Sequence, residues 1–371
     1  MELNVVNNSF FVLLQAGLWN WVPDHTGFPL SPQVWNQVYR LACKHTVEVI
    51  IYDGITRLPN HCLPPKELLL RWVVRVDTIE ERNRQMEKLT GEIYELFDDN
   101  HILALLMKGQ GIAACYEEPS HRISGDIDVY FPDKKNFDMA QELIAKKGIA
   151  ITKQAKFSIS YCMRGFFVEH HTRLLDIDNP FRIPYLRRLL QQEEKNVIYL
   201  TLDNRTIPCP SPLLTHLIVN AHILKHLLTS GVGIRQLCDS ARVCYVYHDR
   251  IEAESLEKIY RKLGIYRWIQ LLNGLLVNYL GMSESCLPFP LTAQRKAVNR
   301  MMKDILQSGN FGLYGGPLSK SSDVPRTKQR KVTHWMERLI RYATYVRYAP
   351  AEASWNPILV VYSHIRNRLK R

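Results

Sequence analysis

The stretch Ser124-Gly125-Asp126-Ile127-Asp128-Val129 decides how the centre of this sequence folds. Side chains alternate between the two faces of a β-strand, so Asp126 and Asp128 share one face while Ile127 points into the core. Two carboxylates about 6–7 Å apart on one strand face can share hard cations such as Mg²⁺. Such a metal pair activates an attacking oxygen and neutralises a leaving phosphate. Because an Asp-x-Asp pair alone is common and also fits a solvated strand end, the neighbouring segments decide its interpretation.

A short glycine turn precedes the Asp pair. Residues 102–107 form an apolar run typical of a buried strand, and Lys108-Gly109 follows this run and opens a predicted helix. Main-chain N–H groups at the start of such a helix can bind phosphate oxygens, and Gly111 is a second candidate for that role. Arg122 suits two roles, since it can assist phosphate binding or brace the loop that leads to Asp126.

The residues around the Asp pair predict a small mixed sheet. Strands are predicted at residues 158–164 and 166–174, which turn at Gly165. A hairpin is predicted at residues 197–207, and a covering helix at residues 137–145. The predicted fold class is therefore α+β, with a small mixed sheet and flanking helices embedded between helical regions.

Helical periodicity dominates on both sides of this sheet. Ser31-Pro32 and Ser211-Pro212 have the N-cap and N1 residues that begin helices, and Pro64-Pro65 opens a long helix. Residues 310–330 are rich in Gly, Ser, Pro and Lys and are typical of a linker. We expect four regions: a helical N-terminal region at 1–100, the α/β domain at 101–210, a helical domain at 211–309, and a linker with a basic tail at 310–371.

The composition is that of a globular protein. The 371 residues suffice for two or three compact units, and 46% of them are hydrophobic and 23% charged. Eight scattered cysteines without a Cys-x-x-Cys pair predict free thiols in a reducing compartment. The N-terminus lacks the basic start of a signal peptide, and no window approaches 18 apolar residues. We therefore expect a cytoplasmic protein without a transmembrane segment.

The net charge of +12 is concentrated near the C-terminus, where residues 320–371 carry 12 Lys/Arg against three acidic residues. A helix is predicted at residues 332–348, with this apolar stripe: Val332, Trp335, Met336, Leu339, Tyr342 and Val346. The favoured interpretation is that the stripe packs on the helical domain and that the basic residues on or near the other side are solvated, namely Lys331, His334, Arg338 and Arg341. Because residues 366–371 are strongly basic, we expect them to contact an anionic partner, either RNA or a membrane surface.

The segment around the Asp pair resembles a known family. The resemblance rests on these residues: Lys108-Gly109, Tyr116, Pro119, Arg122 and Gly125 to Asp128. They are similar to the signature of bacterial uncharacterised nucleotidyltransferases of the DNA polymerase β-like superfamily, in which Lys-Gly replaces the more usual Gly-Ser. The resemblance implies a nucleotidyltransferase palm, NTP such as ATP as substrate, a two-metal Mg²⁺ site, and transfer of NMP to an unidentified acceptor.

The superfamily places a third carboxylate on a later strand. Residues 167–171 are similar to the family's acidic-x-His strand, so Glu169 is the favoured ligand, with His171 on the same face. A second Asp-x-Asp, formed by Asp176 and Asp178, is a rival. It precedes Asn179-Pro180, so turn capping is the favoured role for these two residues.

The resemblance continues in the helical domain through these residues: His216, His222, Lys225, His226, Gly231, Gly233, Arg235 and Asp239. His222 and His226 are four residues apart and could bind zinc, but no third ligand is evident. Arg235 and Asp239 have the spacing of a helix-surface ion pair.

The resemblance assigns roles as follows. Catalysis and metal binding are expected of Asp126, Asp128 and Glu169. Phosphate or substrate binding is expected of these residues: Lys108, Gly109, Arg122, Ser124, His171, Lys225, His226 and Arg235. The alternative from a different class is a non-catalytic nucleotide- or RNA-binding protein that keeps the fold.

Overall fold

The computed structural model describes residues 5–154, 157–309, 338–355 and 357–358. Two compact units divide the chain. The first comprises Met1–Leu175 and Gln192–Val219, and the second comprises Asp176–Gln191 and Asn220–Arg371. The N-terminal helices therefore share a unit with the sheet, and the four predicted regions stay a prediction about domains.

Four helices precede the sheet: α1 (Val5–Trp19), α2 (Pro32–His45), α3 (Glu48–Ile55) and α4 (Lys66–Asp99). The Ser31 hydroxyl accepts a hydrogen bond from the Val34 N–H at 3.4 Å, and Pro32 follows at N1, so the predicted cap of α2 is confirmed. A Cβ at Gly17 would lie 1.8 Å from the Ile50 carbonyl oxygen, so α1 and α3 pack at a distance that only glycine permits.

Five strands form a mixed sheet, which confirms the predicted sheet type. They are β1 (Leu105–Leu106), β2 (Asp126–Tyr130), β3 (Ile151–Gln154), β4 (Ser158–Met163) and β5 (Phe166–His171). Their order is β1-β2-β5-β4-β3, and β2 and β5 run parallel while the other pairs are antiparallel. The helices α5 (Gln110–Ala113) and α6 (Lys134–Lys146) flank β2 in the sequence.

The two faces of β2 and β5 differ in chemistry. Ile127, Val129 and Val168 are buried in a hydrophobic cluster that also contains residues of α4 and α6. The opposite side chains of these strands include Asp128 and Glu169. Because the apolar residues fix which face is buried, the carboxylates are held on the other face.

A hairpin completes the first unit. It consists of β6 (Ile198–Leu202) and β7 (Arg205–Cys209), and its turn residues Asp203 and Asn204 have positive φ angles of 47° and 60°. Two consecutive residues with positive φ are the hallmark of a type I′ turn, for which Asn and Asp are favoured. The predicted hairpin is confirmed.

Helices dominate the remaining residues: α7 (Ile183–Glu193), α8 (Pro212–Thr229), α9 (Ile234–Tyr247), α10 (Ala253–Leu263), α11 (Tyr266–Leu280) and α12 (Arg295–Ser308). The Leu214 N–H donates to the Ser211 hydroxyl at 3.2 Å, which confirms the second predicted cap. None of the described helices is long and apolar enough to cross a membrane. The predicted linker at 310–330 lies outside the described residues.

Helical residues 338–345 pack differently from the predicted stripe. Tyr342 and Tyr345 are buried, whereas Leu339 and Val346 are exposed. Arg341, predicted on or near the solvated side, instead donates to Asp304 at 3.2 Å and to Ser308 at 2.6 Å. The physical reason is that amphipathic tyrosines cover the apolar surface, while the guanidinium reaches acceptors on α12. The other predicted features of the tail, residues 332–336 and 366–371, lie outside the described residues.

Candidate functional site

Two carboxylates and an imidazole meet on adjacent strands. In the parallel pair of β2 and β5, Asp128 lies opposite Glu169, and His171 follows two residues later on the same face. One potential ligand atom of each side chain lies within 4.8 Å of the others. Two ligands of one cation at about 2.1 Å each are separated by at most about 4 Å, so only small side-chain shifts would be needed to bind one ion. The donor set therefore fits a divalent cation.

The contacts inside this triad are unequal. The His171 Nε2 atom lies 2.7 Å from Asp128 Oδ1 and 3.6 Å from Glu169 Oε2. The Lys108 ammonium lies 3.5 Å from the same Asp128 oxygen. The side chain of Asp128 is only 6% exposed, so its charge would be costly without such partners. The lysine predicted from the glycine turn therefore lies beside the carboxylates.

Asp126 occupies the first position of β2, opposite Phe167. The predicted metal set was Asp126, Asp128 and Glu169, whereas the three-ligand group among the described residues contains His171 in place of Asp126. Asp126 precedes Asp128 by two residues, so its side chain lies on the same face of β2, one two-residue repeat nearer the start of the strand. Its role as a metal ligand stays a prediction.

The turn after β1 is built around Gly109, which precedes α5 and has a φ of 63°. A Cβ on this residue would lie 2.9 Å from the Asp126 carbonyl oxygen, so a side chain is excluded by both conformation and space. The N–H of Gly111 donates within the turn to the Lys108 carbonyl at 3.2 Å. The Gly111 N–H is thus bonded within the turn, and which of the two glycines binds phosphate stays a prediction.

Arg122 and Ser124 are buried in front of β2. The Arg122 guanidinium donates to the Ser124 hydroxyl at 2.9 Å, and that hydroxyl donates to the Gln110 side chain at 2.7 Å. These bonds support the bracing role that the sequence left open for Arg122. A phosphate-binding role for either residue stays a prediction.

His121 links the loop before β2 to the helices α3 and α4. Its two ring nitrogens lie 2.9 Å from Asp53 of α3 and 2.9 Å from Glu80 of α4. Burial lowers the pKa of His121, but hydrogen bonds and charge interactions with Asp53 and Glu80 outweigh it and raise the pKa to about 9. The protonated ring therefore joins two carboxylates across three segments of the first unit.

Behind the triad, His170 points into the core. Its Nε2 atom pairs with the Tyr161 hydroxyl at 3.0 Å, and burial, together with the neighbouring His171, lowers the pKa of His170 to about 3. A neutral buried histidine with a hydroxyl partner has a packing role. Because side chains alternate along a strand, His170 lies on the face opposite to that of Glu169, and its burial in the core agrees with that.

Asp176 has a different role from the predicted turn cap. Its carboxylate lies 2.9 Å from His222 Nδ1 and 2.7 Å from the Lys225 ammonium, both on α8. These partners are 46 and 49 residues away in the sequence, so local turn chemistry could not reveal them. The main-chain N–H of Asp178 donates to Glu352 at 2.9 Å.

The remaining predicted binding residues lie in the second unit. His226 Nδ1 lies 3.3 Å from the Ser230 hydroxyl, and its ring lies 4.3 Å from that of His222. Over the part of the chain that the structure describes, these histidines do not join a three-ligand metal group. Arg235 lies at the start of α9. The binding of a triphosphate by Lys225, His226 and Arg235 stays a prediction.

Sequence reasoning missed two buried polar residues near the turn. Asn83 of α4 and Gln110 of α5 are 4% and 7% exposed. A signal for Asn83 exists in the sequence, because it interrupts an apolar series on α4 that runs through Val76, Ile79 and Met86. No comparable pattern marks Gln110.

Comparison with known proteins places the chain in a family. The sequence profile of the family described as uncharacterised nucleotidyltransferase matches residues 31–281, more than half of the chain. The chain belongs to this family. The matched range of this nucleotidyltransferase family includes the glycine turn, the triad and the helices α8 and α9.

No curated protein matches the chain. The crystal structure of an antigenic nucleotidyltransferase-like protein from Paracoccidioides brasiliensis is similar over 56% of this chain and 94% of that chain, with 13% identity and a TM-score of 0.31.

Proposed function

We propose that this protein is a divalent-metal-dependent nucleotidyltransferase that transfers NMP from an NTP to an acceptor and releases pyrophosphate. The observation that carries the proposal is the triad of Asp128, Glu169 and His171, with Lys108 beside it, in a member of a nucleotidyltransferase family. Carboxylates that bind cations and a lysine that binds phosphate are the components that nucleotidyl transfer requires.

In the proposed reaction an acceptor oxygen attacks the α-phosphorus of the NTP. A bond forms between that oxygen and the phosphorus, and the bond from the α-phosphorus to the oxygen that bridges it to the β-phosphate breaks. The acceptor proton passes to a carboxylate, for which Glu169 is the better candidate because its side chain is 30% exposed and that of Asp128 is 6% exposed. Pyrophosphate leaves with the electrons of the broken bond.

The binding roles follow the charges. Asp128 and Glu169, with Asp126 and His171 as further candidates, would hold divalent cations, for which Mg²⁺ is the expected ion. Bound cations would neutralise charge on the phosphates and lower the pKa of the acceptor hydroxyl. Lys108 and the main chain at Gly109 would bind phosphate oxygens, since a compact ammonium and main-chain N–H groups both favour anions.

The test is to find the product. The protein is incubated with Mg²⁺, each α-³²P-labelled NTP in turn and fractionated cell extract, and the label is followed to the molecule that acquires it. We expect one nucleotide, with ATP the first candidate, to label one acceptor class while pyrophosphate is released. Binding of NTP without transfer in any fraction would favour a non-catalytic nucleotide-binding protein instead.

A further inference from the structure

A buried polar side chain interrupts the apolar face of α4. Asn83 is 4% exposed and lies between Ile79 and Met86, which pack in the core. A buried amide is unfavourable unless its donors and acceptors are paired. An apolar residue would satisfy the packing of this helix without that requirement, so the partners of Asn83 indicate what its amide does.

The Asn83 amide is the first member of a chain of hydrogen bonds. Its Nδ2 atom donates to the carbonyl oxygens of Ser120 at 2.5 Å and Arg122 at 3.0 Å. The main-chain carbonyl oxygen of Asn83 accepts from the Gln110 side-chain amide at 3.2 Å. The Gln110 Oε1 atom accepts from the Ser124 hydroxyl at 2.7 Å. One asparagine and one glutamine thus join α4, α5 and the loop before β2.

This network connects the glycine turn to the loop that leads to the Asp pair of β2. Gln110 directly follows Gly109 of the glycine turn, and Ser124 stands two residues before Asp126. A Cβ on Gly109 would lie 2.9 Å from the Asp126 carbonyl oxygen, so the turn and the strand are in close contact. Lys108 directly precedes Gly109, and its ammonium lies 3.5 Å from the Asp128 carboxylate.

The turn depends on these anchors for its position. Helix α5 has four residues, which is too few for a helix to be stable by itself in water. Its place relative to β2 must therefore come from tertiary contacts, and the bonds of Gln110 to Asn83 and Ser124 are directed contacts of that kind.

We propose that Asn83 and Gln110 are positioning residues that hold the phosphate-binding turn, residues 108–110, against the first residue of β2. They act through Lys108 and Gly109 and do not touch the reacting atoms. The inference rests on the proposed function for the identity of the ligand, an NTP, but the coupling between α4 and the turn can be measured without any ligand.

The test uses two variants that remove side-chain hydrogen bonds at nearly constant volume. Asn83→Leu loses the bonds to the Ser120 and Arg122 carbonyls but keeps its main-chain acceptor for Gln110, and Gln110→Met loses the bonds to Asn83 and Ser124. A third, Gln110→Glu, keeps the acceptor for Ser124 and loses the donor to Asn83. The control is Thr90→Val, because Thr90 is fully buried on the same helix and loses one local bond, from its hydroxyl to the Met86 carbonyl at 2.8 Å. ATP affinity with Mg²⁺ is measured by titration calorimetry, amide hydrogen exchange is followed at residues 108–113, and melting temperature reports global stability.

We expect Asn83→Leu and Gln110→Met to weaken ATP binding by about 10- to 100-fold, since loosening a positioned group by about 1 Å can cost that much. Exchange at residues 108–113 should accelerate by at least about tenfold, and Gln110→Glu should fall between these variants and wild type. Thr90→Val should lower the melting temperature while leaving ATP affinity and exchange at the turn unchanged.

The outcomes separate the two ideas. If the wild-type protein binds ATP and both variants match Thr90→Val in affinity and in exchange at the turn, the positioning role is wrong. If the wild-type protein binds no NTP, the proposed function is wrong. Faster hydrogen exchange at residues 108–113 in Gln110→Met than in wild type would then still support the coupling between α4 and the turn. Should Asn83→Leu fail to fold, the comparison of Gln110→Met with Thr90→Val decides, because both lose a buried hydrogen bond and only Gln110 is bonded to the turn and the loop before β2.

Discussion

Substitution of Glu169 by Gln tests the role of the second carboxylate in the triad. The change keeps the shape of the side chain and removes one negative charge from a group whose ligand atoms lie within 4.8 Å of one another. A cation that loses one of its carboxylate ligands is under-coordinated and stabilises the transition state less well. We expect a loss of about a thousandfold in rate, which corresponds to about 4 kcal/mol in the activation barrier.

Folding should tolerate the same substitution. Glu169 is 30% exposed, and its distance of 3.6 Å to His171 exceeds that of a hydrogen bond. Its partly exposed contact with His171 should contribute no more than about 1 kcal/mol to the free energy of unfolding. We therefore expect Glu169→Gln to have a melting temperature close to that of wild type and to transfer α-³²P label about a thousandfold more slowly.

A matched control is available in Asp176→Asn, which also neutralises a half-buried carboxylate. Asp176 pairs with Lys225, whose side chain is 45% exposed, so its loss should cost little stability and only a few-fold in rate. Transfer by Glu169→Gln within about tenfold of wild type, or a greater loss in Asp176→Asn, would refute the assignment of Glu169 and favour the second Asp-x-Asp.

Two other predictions concern pH and the C-terminal tail. Because the folded-state pKa of His121 is raised from 6.5 to about 9, its stabilisation is fully present below pH 6.5 and is lost as the pH rises to about 9. The melting temperature of wild type should therefore fall over this range relative to that of His121→Gln, by an amount equivalent to about 1–3 kcal/mol, and parallel curves would contradict the pairing with Asp53 and Glu80. If residues 366–371 bind an anionic partner, their deletion should weaken retention on RNA or acidic vesicles at low salt without changing transfer to a small acceptor. Binding that does not depend on salt, or unfolding on deletion, would indicate a structural role for these residues.

Much of the local structure followed from the sequence. The caps at Ser31 and Ser211 depend on residues within three positions, and the strand faces depend on alternation, so both were predictable. The pairing of β2 with β5 is not local. Periodicity indicates which side of each strand is buried, but it does not give the register that sets Asp128 opposite Glu169.

The missed contacts join residues that are distant in the sequence. The sequence around Asp176 predicts a turn cap, but its carboxylate pairs with Lys225 of α8. The sequence around Arg341 predicts a solvated charge, but its guanidinium donates to Asp304 of α12. Nothing in the spacing of Asn83 and Gln110, 27 residues apart, indicates that they are hydrogen-bonded. Single-sequence patterns report faces and ends of elements, whereas a site depends on how elements are packed.

The proposed nucleotidyl transfer depends on cations held at β2 by Asp128, with Asp126 as a further candidate ligand. Its decisive measurement is Mg²⁺-dependent NTP binding and transfer of α-³²P label by the double variant Asp126→Asn/Asp128→Asn, beside wild type. We expect both activities to be abolished while the folded state survives, because removing adjacent like charges relieves repulsion. Unchanged turnover by a folded double variant would contradict the proposed nucleotidyltransferase mechanism.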